Sequence, residues 1–187
     1  MRILILSCLL GALALPLSGQ NEAALKAIRA HYYSLNAKID QCNEEPAKEP
    51  CELYIDEVVQ NSKNAPWPVV GIYSRTITYY YDRSPEFAKM QHDDELYGLQ
   101  KIVVQLTSSA REEYAEYLLQ KGQVVFKFTK EYWEGDLYES RMYFDQGLLF
   151  KYNVNGEDRP DEMHEVSMES LHLEFLEYAD IFRALHP

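Results

Sequence analysis

Apolar residues recur at helical spacing near both ends of the chain. Near the start, steps of three and four join Leu25, Ile28, Tyr32, Leu35 and Ile39. The same spacing returns near the end, at Leu171, Phe175, Tyr178, Phe182 and Leu185. Such spacing places the apolar side chains on one stripe of a helix. We therefore predict amphipathic helices over residues 22–41 and 167–185.

Between these helices the apolar period shortens to two residues, which is typical of strands. Leu53, Ile55 and Val59 begin the alternation, residues 69–81 are rich in Tyr, Ile, Thr and Val, and Ile102 and Val104 continue it. The connection over residues 82–97 is long enough for a surface loop or a short helix.

A weak internal repeat follows, in which residues 117–128 and 141–152 share one pattern of aromatic and apolar positions around a glycine. We interpret each unit as a β-hairpin, because Lys121-Gly122 and Gln146-Gly147 supply a glycine at a tight turn. The stretch Tyr143–Gly147 resembles the Y-x-x-x-G hairpins of MORN repeats. The two copies lack the regular period of that family, so the resemblance implies no function here.

Residues 109–121 fit two structures. Ser109 and Glu112 match a capping box and Gly122 matches a C-terminal cap, which favours a helix. The repeat pairs this stretch with a segment of strand character, and we therefore prefer a strand.

These elements predict an α+β fold of one domain, residues 20–187. We expect a curved antiparallel sheet with a single buried face, and both helices packed on that face as a second layer.

The first residues carry a different signal. Arg2 precedes an apolar run that is shorter than the ~18 residues of a membrane span and ends in small residues at Ser18 and Gly19. We interpret residues 1–19 as a secretory signal peptide and predict export to a periplasm or the medium, with no transmembrane segment. Too few apolar residues precede Cys8 for a lipoprotein signal. The chain has no N-x-Ser/Thr glycosylation acceptor, which favours a bacterial source.

Export to an oxidising compartment also predicts that the two cysteines outside the signal peptide are bonded to each other. Cys42 and Cys51 are expected to form a structural disulfide. Closing so short a loop is worth about 2.5–3 kcal/mol on the chain-entropy model.

The formal net charge of −12 changes the expected partners. Nucleic acid is excluded, because the chain has no cluster of Lys and Arg to neutralise phosphates. A protein partner, in particular a basic one, is favoured.

Fifteen tyrosines are the strongest compositional oddity, and Tyr79-Tyr80-Tyr81 is the densest run. Tyrosine suits half-buried strands, but exposed rings also form flat contact surfaces for ligands. In a strand Tyr80 points away from its two neighbours. We therefore take Tyr80, together with Trp67 between two prolines, as a candidate binding patch.

The acidic run Asp93-Asp94-Glu95 beside His92 is a further candidate binding element. It lacks the alternation and the glycine of a calcium loop, so we read it as a solvated loop and predict no metal site and no cofactor.

Enzyme templates are missing from the sequence. No G-x-S-x-G elbow, H-E-x-x-H helix or glycine-rich phosphate loop occurs. Our leading hypothesis is a non-catalytic binding domain, in its sharper form an acidic inhibitor or immunity-type protein that neutralises a basic enzyme of the cell envelope.

Two alternatives stay open. One is a carbohydrate- or lipid-binding protein with a pocket that contains several of Tyr73, Tyr79, Phe126 and Tyr138. The other is a hydrolase with paired carboxylates, of which one is unusually protonated.

Overall fold

The structure is a computed structural model, and it describes residues 17–44, 51–68, 71–82, 96, 98–109, 111–133 and 135–186. Two helices and one short 3₁₀ helix flank a sheet that has nine strands within these ranges. The helices are α1 (Leu17–Glu44) and α2 (Met168–Leu185), and the 3₁₀ helix is Pro160–Glu165. The strands are β1 (Leu53–Gln60), β2 (Pro66–Trp67), β3 (Gly71–Asp82), β4 (Leu99–Ser108), β5 (Arg111–Gln120), β6 (Gln123–Trp133), β7 (Asp136–Asp145), β8 (Leu148–Val154) and β9 (Glu157–Asp158).

Every pairing in the sheet is antiparallel, and the order β1-β3-β4-β5-β6-β7-β8-β9 follows the chain. The short strand β2 pairs with the first residues of β3, beyond the end of β1. The α+β class and the antiparallel sheet predicted from the sequence are confirmed.

The predicted hairpins are also present. The turn between β5 and β6 has φ of 52° at Lys121 and 76° at Gly122, and the turn between β7 and β8 has 49° at Gln146 and 78° at Gly147. Positive φ at both central residues is the geometry that matches the twist of the two strands. Residues 111–120 form β5, so the strand interpretation of the ambiguous segment is confirmed.

Helix α2 begins where its sequence predicts. The Ser167 side chain accepts a hydrogen bond from the Ser170 backbone N–H, which caps the first turn. Helix α1 is longer than predicted and begins at Leu17, inside the segment assigned to the signal peptide.

The arrangement of the helices differs from the prediction that both pack on one face. Helix α2 packs on Ile77, Tyr79, Tyr117 and Leu119, whereas α1 packs on Leu118, Phe126 and Tyr143. Tyr117 and Leu118 are neighbours in one strand and therefore face opposite sides. The two helices thus cover opposite faces of the sheet, and both faces are buried there.

A disulfide joins the end of α1 to the start of β1. Cys42 and Cys51 are bonded, with their Cα atoms 5.0 Å apart, as predicted. The next residue but one, Leu53, is buried in the α1 core, so the bond fixes the helix beside the first strand.

No helix in the described ranges is both long and apolar enough to cross a membrane.

Candidate functional site

The predicted aromatic patch is not assembled by the fold. Trp67 is 52% exposed and packs near Tyr73, with ring centroids 5.7 Å apart. Trp67 pairs with Gly71, but Tyr80 pairs with Ile55 near the other end of β3. At about 3.3 Å per residue these positions are roughly 30 Å apart. Tyr80 instead packs against the α1 core.

The other predicted site residues fall elsewhere. Asp93, Asp94 and Glu95 lie outside the described residues. Among the described residues, no group of three His, Cys, Asp or Glu side chains is placed to hold a metal ion.

The alternative hypothesis of a ligand-binding protein predicted a pocket with several of four rings, and these four rings are dispersed. Tyr79 is buried under α2 and Phe126 under α1. Tyr73 lies beside Trp67, and Tyr138 is 51% exposed on β7.

A cavity of another composition lies beneath the first turns of α2, and we call it the α2 pocket. Its volume is about 280 Å³. The two hairpin turns, the sheet and α2 each contribute lining residues, which are Tyr117, Gly122, Gln123, Val124, Lys127, Phe144, Gln146, Gly147, Met168, Leu171, His172 and Phe175. The walls are therefore mostly apolar and aromatic, with one buried cation.

That cation is Lys127, which is 6% exposed. Its Nζ lies 2.6 Å from Oε2 of Glu174 on α2 and 5.1 Å from the centre of the Tyr117 ring. The Tyr117 hydroxyl donates to the other oxygen of Glu174. Burial, and then the neighbouring Glu174 carboxylate, raise the pKa of Tyr117, so this hydroxyl stays a donor.

The opposite face holds a second buried ion pair, which we call the Lys101 network. Lys101 Nζ lies 3.1 Å from Glu116 Oε1 and donates to Asn36 Oδ1 at 2.8 Å. Glu116 also accepts hydrogen bonds from the hydroxyls of Tyr32 and Tyr114. Glu116 therefore has a partner at each oxygen and Lys101 has two acceptors, and the network ties α1 to β4 and β5.

One pair of carboxylates matches part of the hydrolase hypothesis. Glu113 and Glu131 lie directly opposite each other on β5 and β6. Burial raises the pKa of Glu113, against the opposing charge of Arg111 and with a further rise from Glu131. Arg111 contacts both carboxylates, at 2.6 and 3.1 Å. Because one guanidinium pairs with both carboxylates, this arrangement favours a structural ion cluster.

No protein family model, curated protein or solved structure matches the chain. The sequence did not predict the residues that line the α2 pocket. Its residues come from β5, β6, β7, two turns and α2, and no motif joins these segments.

Proposed function

We propose that the protein is a non-catalytic binding domain that takes a small, mainly apolar molecule into the α2 pocket. The observation that carries this proposal is the buried Lys127 in a mainly apolar cavity. Such a pocket, with a few convergent polar groups, is the usual form of a small-molecule site.

Lys127 supplies the polar anchor. An ammonium group has three N–H donors, and within the described residues only Glu174 takes one of them. Buried donors require acceptors. A ligand oxygen that reaches Lys127 would satisfy a second donor.

The volume of the α2 pocket indicates how much of a ligand it can enclose. A dry cavity of roughly 150 Å³ holds one benzene molecule. By the same ratio the 280 Å³ of the α2 pocket holds about eleven non-hydrogen atoms.

The charges around the pocket favour an uncharged head group. Glu174 already neutralises Lys127. A neighbouring cavity of about 380 Å³ shares Leu171 with the α2 pocket and is lined by Glu162, Glu165 and Glu174. A carboxylate ligand would be repelled by these groups, whereas a hydroxyl or ester carbonyl would not. The proposed ligand is therefore a medium-chain alcohol, ester or similar neutral acyl compound.

Calorimetric titration with decanol, decanoate and decane tests this chemistry. We expect decanol to bind, decanoate to bind more weakly because of its charge, and decane to bind more weakly because it leaves Lys127 without an acceptor. Equal binding of all three, or a preference for decanoate, would contradict the proposed head-group chemistry.

A pair of matched variants tests the location. Val124→Phe places a larger side chain among the lining residues of the pocket and leaves Lys127 and Glu174 in the sequence, and we expect it to abolish decanol binding. Leu173→Phe adds a ring at a position on α2 that is 60% exposed, and it should bind decanol normally. Decanol binding that survives in Val124→Phe would place the ligand elsewhere.

The acidic inhibitor remains a second candidate function. Exposed rings at Trp67, Tyr132 and Tyr138, together with the net charge of −12, support a basic protein partner. Its test is titration of the protein from Gln20 onward against basic cell-wall hydrolases at low salt. Unchanged hydrolase activity at micromolar protein would argue against it. The disulfide supports an exported location for either function.

A further inference from the structure

A second cleft lies on the α1 face of the sheet, and we call it the arginine cleft. Its volume is about 360 Å³. The lining side chains are Ile28, Arg29, Tyr32, Tyr33, Phe126, Phe128, Arg141 and Tyr143. Two guanidinium groups therefore meet an aromatic wall in a protein that is strongly acidic as a whole.

Each guanidinium lies over a ring. Arg141 Cζ is 4.9 Å from the centre of the Phe128 ring, and Arg29 Cζ is 5.9 Å from that of Tyr143. At these distances each ring attracts the guanidinium group above it by a cation–π interaction, which helps to hold the group in place.

Arg141 has donors left for a ligand. Arg141 donates to Glu139 Oε2 at 3.0 Å, which uses one of its five donors. Arg29 forms no ion pair within 4 Å with a carboxylate of the described residues, but Asp158 lies near it. The hydrogen bond from Lys151 is the main cause that lowers the pKa of Asp158, and the charge of Arg29 adds to this effect.

Contacts within the protein hold the Tyr32 ring in place on the aromatic side of the cleft. Tyr32 donates a 2.8 Å hydrogen bond to buried Glu116 and packs edge-on against Phe126 at 5.4 Å. Tyr33, by contrast, is 69% exposed. The Tyr32 ring is thus fixed, whereas the Tyr33 ring, which contacts it edge-on at 5.9 Å, is largely exposed to solvent.

We propose that the arginine cleft binds the uronic acid unit of an acidic oligosaccharide. The carboxylate would accept paired hydrogen bonds from a guanidinium edge, and the flat sugar ring would lie against the tyrosine and phenylalanine faces. The ring hydroxyls would meet the remaining arginine donors and Tyr33. This site is separate from the α2 pocket, which lies on the other face of the sheet.

Galacturonate trimer and maltotriose form the matched ligand pair, since they share length and ring type but differ in charge. Titration followed by calorimetry or amide chemical shifts should show binding of the trimer and much weaker binding of maltotriose. Benzoate tests whether any carboxylate on a flat ring suffices, and an acidic peptide tests for a protein ligand.

Arg29→Ala and Arg141→Ala should each weaken trimer binding about ten-fold or more, because each removes charge-assisted hydrogen bonds. Arg183→Ala is the control, since it removes the same charge from α2, where Arg183 pairs with Asp180 at 2.7 Å. Arg141→Lys keeps the charge and the stem but loses the fork, so it should bind weakly while folding normally.

Three results would overturn the proposal. They are equal affinity for maltotriose, a double variant of Arg29 and Arg141 that binds the trimer unchanged, and stronger binding of benzoate or the acidic peptide than of the trimer. Trimer binding that is lost only in the arginine variants would support it, whatever decanol does at the α2 pocket.

Discussion

The hydroxyl of Tyr79 donates a buried hydrogen bond to the backbone carbonyl of Tyr178, 2.9 Å away. This bond joins β3 to α2, and the ring of Phe182 packs against the same tyrosine, with ring centroids 5.3 Å apart. Tyr79 is therefore a fixed point between the strand and the helix rather than a binding residue.

Tyr79→Phe should lower the free energy of unfolding by about 1 kcal/mol, the typical net value of one hydrogen bond. The ring and its packing remain, so the loss is confined to the hydroxyl. Urea unfolding followed by circular dichroism measures it. Tyr33→Phe is the control, because Tyr33 is exposed, and it should leave stability unchanged. An equal loss in both variants would show that the Tyr79 bond contributes nothing specific.

Alkaline pH should destabilise the protein. Burial is the main cause of a raised pKa at eight tyrosines. They are Tyr32, Tyr79, Tyr80, Tyr81, Tyr114, Tyr117, Tyr152 and Tyr178. Burial and the hydrogen bond to Glu116 bring the pKa of Tyr32 to about 12. Above the unfolded-state pKa of about 10, the unfolded chain releases phenolic protons that the folded chain retains.

Below pH 10 these tyrosines should therefore cause no change in the free energy of unfolding with pH. As pH rises from 10 towards 12 and beyond, the free energy of unfolding should fall. Urea unfolding at a series of pH values measures this, and absorbance at the tyrosinate band should show the buried tyrosines ionising together with unfolding. Stability that is flat across this window would contradict the burial of these hydroxyls.

Removing only one of the two charges in the Lys101 network should lower the stability of the protein. Lys101→Met leaves the carboxylate of Glu116 buried without its cation, and we expect a loss of about 3 kcal/mol, the lower end for a buried pair because two tyrosine donors remain. The double variant Lys101→Met/Glu116→Gln removes both charges and should recover part of this loss.

Lys38→Met is the matched control for that cycle. Lys38 pairs with Glu52 at the surface, at 2.8 Å, and exposed pairs contribute about 0–1 kcal/mol. A double variant that is less stable than Lys101→Met alone would show that Glu116 does not need its cation.

Two hairpin turns offer a gain in stability. Lys121 and Gln146 adopt positive φ, of 52° and 49°, before a glycine. Asparagine tolerates this conformation better than lysine or glutamine. Lys121→Asn and Gln146→Asn should each raise the free energy of unfolding by about 0.5–1 kcal/mol.

Thermal and urea unfolding measure that gain. Gln120→Asn makes the same kind of change at the last position of β5, where the strand conformation disfavours asparagine, and it should give no gain. Stabilisation by Gln120→Asn as well would indicate an effect unrelated to the turns.

The sequence predicted the individual elements better than their layers. The start of α2 at Ser167 and the turns at Gly122 and Gly147 depend on local rules, and the structure has them where the sequence places them. The faces of the sheet depend on which residues meet at a distance. Consecutive buried residues at 101–104 and 116–119 are the signature of a sheet covered on both sides. Each run begins with a charged residue, Lys101 or Glu116, and this charge hid the pattern of continuous burial in the sequence.

The sequence could not predict the candidate sites, because each site combines residues that are distant in the chain. Arg29 reads as part of the polar face of α1, and Arg141 as a strand residue of the hairpin unit. Only the packing of α1 across β6 and β7 brings the two to one cleft. Lys127 likewise becomes a buried cation only because Glu174 arrives from α2.

The order of the strands has a kinetic consequence. From β3 to β9 each strand pairs with the strand that precedes it in the chain. Apart from the ladder between β1 and β3, each ladder therefore joins strands that are neighbours in sequence, and most of them close short loops at little cost in entropy. Such topology favours rapid folding for a β-rich chain. The sheet can grow hairpin by hairpin, and the contacts that span the whole sequence are left to the docking of the two helices.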